Sequence, residues 1–372
     1  MRIAVSSFYF CMGFCFMSWA SRIPDIKAKL HLSDGELGTI LLGLPIGQLL
    51  MMPVSGRLVT RYSSKTILSF AILFYAIELT NLGWATQGWQ LALGLFIFGI
   101  VGNMSNISVN TQGVLAEKIY GRSIMTTFHG VWSIAGFSGT LMGLLMMSLK
   151  LTPRQHFFIV AAFVFIVVLI ARRYLIAGTQ PPAEKKKFFS KPEGVLVKLG
   201  IIAFCSLAAE GTMFDWSGVY FRDVVKVKGS LIIVGLTTFM IMMATGRFAG
   251  DRIIAVVGRK KLLQVSGILI FIGMFTAVLF PYFITATLGF LIVGLGVSSV
   301  IPTIYSTAAR SAKTSPGMAL AGVSSIGFLG FLMGPPLIGY IAQLFSLQYS
   351  FAVMALFGLC VTIMVSKLKV ID

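Results

Sequence analysis

Apolar residues run along this chain in blocks too long for an ordinary buried strand and too unbroken for a surface helix. Each block holds about 17 to 25 residues with few charges, enough for an α-helix to cross a hydrocarbon core ~30 Å thick. Twelve blocks follow one another, at about residues 3–21, 35–56, 65–85, 89–113, 124–148, 154–176, 196–221, 230–251, 262–281, 283–308, 317–344 and 348–367. The alternating in-and-out pattern of about ten residues that a membrane barrel needs is absent, so the blocks predict helices. The longest polar break, 177–195, is rich in Lys and Pro. It predicts a cytoplasmic basic linker between two halves, 1–176 and 196–372, of six spans each.

Composition agrees with the pattern. The 372 residues are 57% hydrophobic and 11% charged, with a mean hydropathy of +0.91; soluble domains carry about 25% charge. A net charge of +18 raises the question of nucleic acid, but no soluble basic domain is present to bind it. With Met1 placed in the cytoplasm, 22 of the 30 Lys and Arg fall on the cytoplasmic side of the twelve spans. The positive-inside rule thus explains the charge and predicts both termini inside. Short tails and loops point to a bacterial inner membrane. Cys11, Cys15, Cys205 and Cys360 lie inside apolar blocks without metal or disulfide spacing, so they read as core residues. The first block is followed by Ser-Arg-Ile-Pro, which predicts a retained span rather than a signal peptide.

The halves repeat each other. Gly99 and Asn103 recur 195 positions later as Gly294 and Ser298, and Gly130 and Ser133 recur 192 positions later as Gly322 and Ser325. The stretch from Gly56 through Arg57 and Arg61 to Lys65 is matched by Gly246, Arg247, Asp251, Arg252 and then Gly258 to Lys261. Six-span halves, a basic linker and these paired inner loops resemble the major facilitator superfamily. Trp19–Pro24 and Glu210–Trp216 look most like its bacterial sugar-permease branch, related to fucose permease. The resemblance implies an all-α membrane protein with twelve transmembrane helices in two pseudo-symmetric six-helix bundles. It further implies a secondary transporter working by alternating access, with a cavity lined by spans 1, 4, 7 and 10. Departures are visible. The first inner loop has Thr60 where the family carries an Asp, and spans 1 and 4 lack the acids of fucose-permease relatives. Met142-Gly143-Leu144 in span 5 lacks the Gly-Pro of drug antiporters.

Ionised groups at membrane depth cost at least ~2.5–3.5 kcal/mol, so acids there need a partner, a proton or water. Glu210 and Asp215 in span 7 and Glu78 in span 3 are therefore the candidates for proton coupling. On a regular helix Asp215 points about 140° from Glu210 and sits about 7.5 Å nearer the outer surface. Glu210 is expected to exchange a proton as the cavity opens to each side, or else to lock span 7 to a neighbour. Asp215 is expected to pair Arg22 or Arg222 in an outer gate or to touch substrate. Glu78 lies outside the cavity spans, which favours a structural hydrogen bond.

Gly99, Asn103, Asn106, Asn110 and Gly113 fall within an arc of roughly 80° on span 4. Amides on one face can donate to and accept from hydroxyls, as a polyhydroxy solute requires; the alternative is interhelical packing. Ser18 on span 1, His129 and Trp132 on span 5, and Ser298 and Tyr305 on span 10 complete the expected substrate set. Arg22, Arg57, Arg61, Arg247, Asp251 and Arg252 read as gate residues, with topology determination as the alternative.

Together these predict a transporter for a small polar solute, a sugar, polyol or sugar acid, driven by proton symport and expected to act as a monomer in the lipid bilayer. No Gly-x-x-x-x-Gly-Lys-Ser/Thr loop is present, so no nucleotide cofactor is expected. Nor is an enzyme or a metal site: His31, His129 and His156 are far apart. The competing readings are proton-antiport export of a drug or metabolite, and a non-transporting membrane sensor or scaffold.

Overall fold

The computed structural model describes residues 1–121, 124–177, 194–311 and 316–368. All regular structure among them is helical. In chain order the helices are α1 (Arg2–Ala20), α2 (Ile23–Lys29), α3 (Asp34–Leu41), α4 (Gly43–Tyr62), α5 (Ser64–Trp84), α6 (Gly88–Tyr120), α7 (Met125–Ser148) and α8 (Pro153–Ala171). They continue as α9 (Gly194–Asp223), α10 (Val234–Val257), α11 (Arg259–Leu279), α12 (Phe283–Ser298), α13 (Val300–Ser311), α14 (Pro316–Leu344) and α15 (Leu347–Ser366). Twelve of the resulting rods, counting α3 with α4 and α12 with α13, are long and apolar enough to cross a membrane. Residues 178–193, which hold nearly all of the expected basic linker, lie outside the described residues.

The chain divides into two compact units, Met1–Leu32 with Thr39–Lys185, and Ser33–Gly38 with Lys186–Asp372. In the first, Gly99 of α6 lies so close to α4 that a Cβ there would overlap the Leu44 carbonyl oxygen and crowd Gln48 N at 3.1 Å. In the second, Gly294 of α12 bears on α10 in the same way, against the Phe239 carbonyl and Met243 N at 3.2 Å. Every residue of the second crossing stands 195 positions after its counterpart, so the sequence repeat is also a packing repeat. Within lipid such contacts rest on close backbone approach rather than on the hydrophobic effect.

Two expected inner loops are much shorter than their polar residues suggest. Residues 56–62 continue α4, and only Ser63, at φ 71°, separates it from α5. Residues 246–257 continue α10, and only Gly258, at φ 80°, separates it from α11. Ser63 also caps α5, its hydroxyl accepting from Thr66 N. Span 10, expected as one rod, breaks at Ser299 between α12 and α13. Pro302 has no N–H to return to the Ser298 carbonyl, which weakens the ladder there. The outward face of α8 is apolar, with Phe158, Phe165, Ile166, Leu169 and Ile170 all exposed, as lipid contact requires.

Candidate functional site

In the second unit, Glu210 sits just past the middle of α9 and is 5% exposed. Arg247 reaches it from α10, with Nη2 donating to Oε1 across 3.2 Å. The expected inner-loop gate residue is thus part of a transmembrane helix and engaged with the expected proton carrier. Tyr305 on α13 lies in the field of Glu210 and hydrogen-bonds Ser324 of α14. On the same α9 face as Glu210, the hydroxyls of Ser206 and Ser217 are buried without a hydrogen-bond partner among the described residues. An acid, a cation, a phenol and unpaired hydroxyls from three helices are thus gathered, groups that bind carboxylates and hydroxyls.

Asp215 behaves differently. It is half-buried and makes no hydrogen bond or ion pair among the described residues. Its expected partners are engaged elsewhere. Arg222 lies 3.8 Å from Asp223. Arg22 is 2% exposed and makes three bonds inside the first unit: to Asp25 Oδ2 at 2.6 Å, to His156 Nδ1 at 3.1 Å and to the Leu151 carbonyl at 2.9 Å. Burial pulls the Arg22 guanidinium below its usual value, and Asp25 pulls it back up. Arg22 therefore ties the segment after α1 to the start of α8. His156, which composition alone left without a role, supplies the acceptor.

The amides of α6 part company. Asn103 is buried and accepts from Ser55 Oγ of α4 at 2.8 Å, so it joins two helices as the packing alternative anticipated. Asn110 accepts from the Tyr9 hydroxyl at 2.8 Å and donates to the Asn106 carbonyl at 2.8 Å and side-chain oxygen at 3.2 Å. Asn106 is exposed. The Tyr9 ring stacks on Phe128 at 5.3 Å and meets the exposed His129 edge-on at 5.7 Å. The buried Tyr9 thus links Asn110 and the exposed Asn106 and His129 into one polar cluster on the first unit. Tyr9 was not singled out from the sequence because a lone Tyr in an apolar block reads as core.

Ser298 gives its hydroxyl to the Leu295 carbonyl and packs on Gly246, so it belongs to the α10–α12 seam and does not join the Glu210 cluster. Ser18 is fully buried, its hydroxyl without a hydrogen-bond partner among the described residues. Trp132 is half-buried, with its carbonyl against Gly13. Glu78 accepts from Asn81 of its own helix at 2.9 Å, a local bond of the kind expected. Arg57, Arg61 and Arg252 are exposed, and Arg61 lies over the Tyr62 ring at 5.2 Å. The side chain of Asp251 lies outside the described residues.

The comparisons with known proteins agree with this architecture. The family described as Major Facilitator Superfamily matches residues 5–316 and again 237–372. An uncharacterized MFS-type transporter of Yersinia pestis is 32% identical over 95% of this chain and 92% of its own. The membrane protein MosC of Rhizobium meliloti is 28% identical over 91% and 83% respectively. Among solved structures, a nucleoside transporter, NupG, superposes with a TM-score of 0.79 at 15% identity, covering 98% of this chain and 99% of that one. A bacterial homolog of the human lysosomal transporter Spinster, in an inward-facing and occupied conformation, gives 0.77 at 16% identity, covering 98% and 95%.

Proposed function

The chain belongs to the major facilitator superfamily, and on that premise we propose that it carries a small polar solute, a sugar, polyol or sugar acid, by proton symport. The family makes it a multi-pass membrane transporter and not an enzyme. The proposal places it in a bacterial inner membrane, acting as a monomer by alternating access, within or near the sugar-permease branch.

One observation carries the reading: Glu210 is buried and Arg247 is its ion-pair partner at 3.2 Å. When Glu210 takes a proton, the pair loses its attraction and the Arg247 guanidinium is released to an incoming acceptor. A carboxylate is the acceptor it binds most strongly, in bidentate fashion. Proton and anion binding are then linked, which favours a sugar acid over a neutral sugar. In this reading Tyr305 and the unpaired hydroxyls of Ser206 and Ser217 bond the solute's own hydroxyls. On the first unit, Asn106 and Asn110 offer amides to a polyhydroxy solute.

The test is uptake by purified protein in proteoliposomes, with sugars, polyols, sugar acids and nucleosides offered with and without an inward proton gradient. Gradient-driven accumulation of a sugar acid that Glu210→Gln abolishes, with counterflow exchange retained, is the expected result. Accumulation by Glu210→Gln equal to that of the unaltered protein overturns it. Outward movement against the gradient would instead establish export by antiport, and no flux at all a sensor.

A further inference from the structure

The first unit has a side cleft of about 670 Å³ that plays no part in the solute site. It lies among α1, the end of α6, α7 and α8. At one end stand Arg2, Ser6 and Thr127; along its length the walls are Phe10, Val131, Phe163 and Val167. The aromatic wall is continuous with α1, because Phe163 meets Phe10 at 6.2 Å and Phe14 at 5.5 Å. The cleft opens beside the exposed apolar face of α8, where Phe165, Ile166 and Ile170 are bare, and is therefore reached from lipid.

Its polar end is built for an anion. Arg2 is held above the Tyr120 ring at 5.5 Å and makes no ion pair among the described residues. The hydroxyls of Ser6 and Thr127 carry no hydrogen bond among the described residues, whereas neighbouring Ser7 is engaged with the Ile3 carbonyl at 2.9 Å. α1 and α8 run antiparallel, as the Phe14–Phe163 and Arg22–His156 contacts require, so Arg2 lies at the level of Arg172 and Arg173. Of the three, only Arg2 lines the trough, so the positive charge at its mouth is the Arg2 guanidinium. The volume is in the range that holds small amphiphiles, ~300–1,000 Å³.

We propose that this cleft is a binding site for one anionic phospholipid, with its phosphate on Arg2, Ser6 and Thr127 and an acyl chain along Phe10, Val131, Phe163 and Val167. A zwitterionic lipid fills the trough equally well but brings a compensating cation to the mouth, where Arg2 already stands. The site discriminates by headgroup charge and retains by acyl contact. It is independent of the solute carried.

Native mass spectrometry of the delipidated full chain, titrated with phosphatidylglycerol or phosphatidylcholine of identical acyl chains, tests this. The first adduct is expected to form with phosphatidylglycerol at about fivefold lower concentration than with phosphatidylcholine, the effect of one basic residue at a membrane surface. Arg2→Gln should remove that preference, Arg2→Lys should retain it, and Val131→Trp should weaken both lipids by filling the trough. Thermal unfolding of each variant separates loss of the site from loss of the fold, and Val131→Trp carries the test if Arg2→Gln does not fold. Equal binding of the two lipids by the unaltered protein, or undiminished phosphatidylglycerol preference in folded Arg2→Gln, overturns the proposal. So does a preference reproduced by glycerol phosphate without acyl chains, since the trough would then have no part in it.

Discussion

Arg247 donates to Glu210 across 3.2 Å, linking α10 to α9 at membrane depth. The two partners are unequally buried, with side-chain exposures of 25% and 7%. Removing the cation strands a carboxylate, so Arg247→Met should lower unfolding stability by roughly 3 kcal/mol. Glu210→Gln should cost less, because the more exposed guanidinium can turn to water. The double variant should recover part of the Arg247→Met loss. Thermal unfolding of the four proteins in detergent measures the cycle, and additivity of the two single effects would deny the coupling.

Asn103 and Asn110 share a helix face but not a partner. Asn103→Ala should cost about 1–2 kcal/mol by leaving the Ser55 hydroxyl unpaired in the α4–α6 seam, with little change in solute affinity per folded molecule. Asn110→Ala should do the reverse, weakening solute binding while stability stays nearer the parent. Parallel unfolding and binding titrations distinguish the two, and equal effects from both residues would mean that the face acts as a packing surface throughout.

Arg22 makes bonds in three directions that a lysine cannot reproduce with one ammonium. Arg22→Lys should therefore destabilise the first unit by roughly 2 kcal/mol, and Arg22→Ala by more. The measurement is the unfolding temperature. Variants as stable as the parent would show that the Asp25, His156 and Leu151 contacts contribute nothing net.

Three Gly→Ala changes should differ in sign. At Gly99 and Gly294 the added methyl meets a carbonyl of the facing helix, and overpacking of that kind costs about 1–3 kcal/mol. At Gly56, inside α4, nothing lies within 4 Å of the new Cβ. Gly56→Ala should instead stabilise by up to ~1 kcal/mol through helix propensity. Unfolding curves on the three single variants suffice to check the order.

Asp215 and Glu210 should separate in transport. Glu210→Gln should remove proton-driven accumulation, whereas Asp215→Asn should keep accumulation and alter how initial uptake depends on external pH, because Asp215 has no ion-pair partner among the described residues. Uptake measured from pH 5 to pH 8 in both variants tests this. Identical profiles for Asp215→Asn and the parent would remove Asp215 from the solute path.

The spans were legible because hydrocarbon imposes one requirement on every residue of a crossing, and long apolar blocks meet it visibly. Helix ends were less so. Charges such as Arg57 and Arg252 resemble loop residues in a sequence, yet a helix can run on into water, and α4 and α10 both do. The buried partners were hardest to foresee. A helical wheel gives the direction of Asn103 and Asn110 but not what waits there, and only tertiary contact assigns one to Ser55 and the other to Tyr9. Arg247 was within reach, since span 8 already placed a cation among apolar residues and span 7 supplied an acid without a counterpart.

The matched seams at Gly99 and Gly294 bear on ancestry. Two copies would hardly settle independently on the same neighbours at one fixed spacing, so the contact predates the duplication that made the chain. What diverged afterwards is its trim: one descendant fastens it with Ser55 and Asn103, the other with the bare backbones of Gly246 and Gly250 against serines. Selection was free to recast the chemistry of each half because the joint inherited by both did not depend on it.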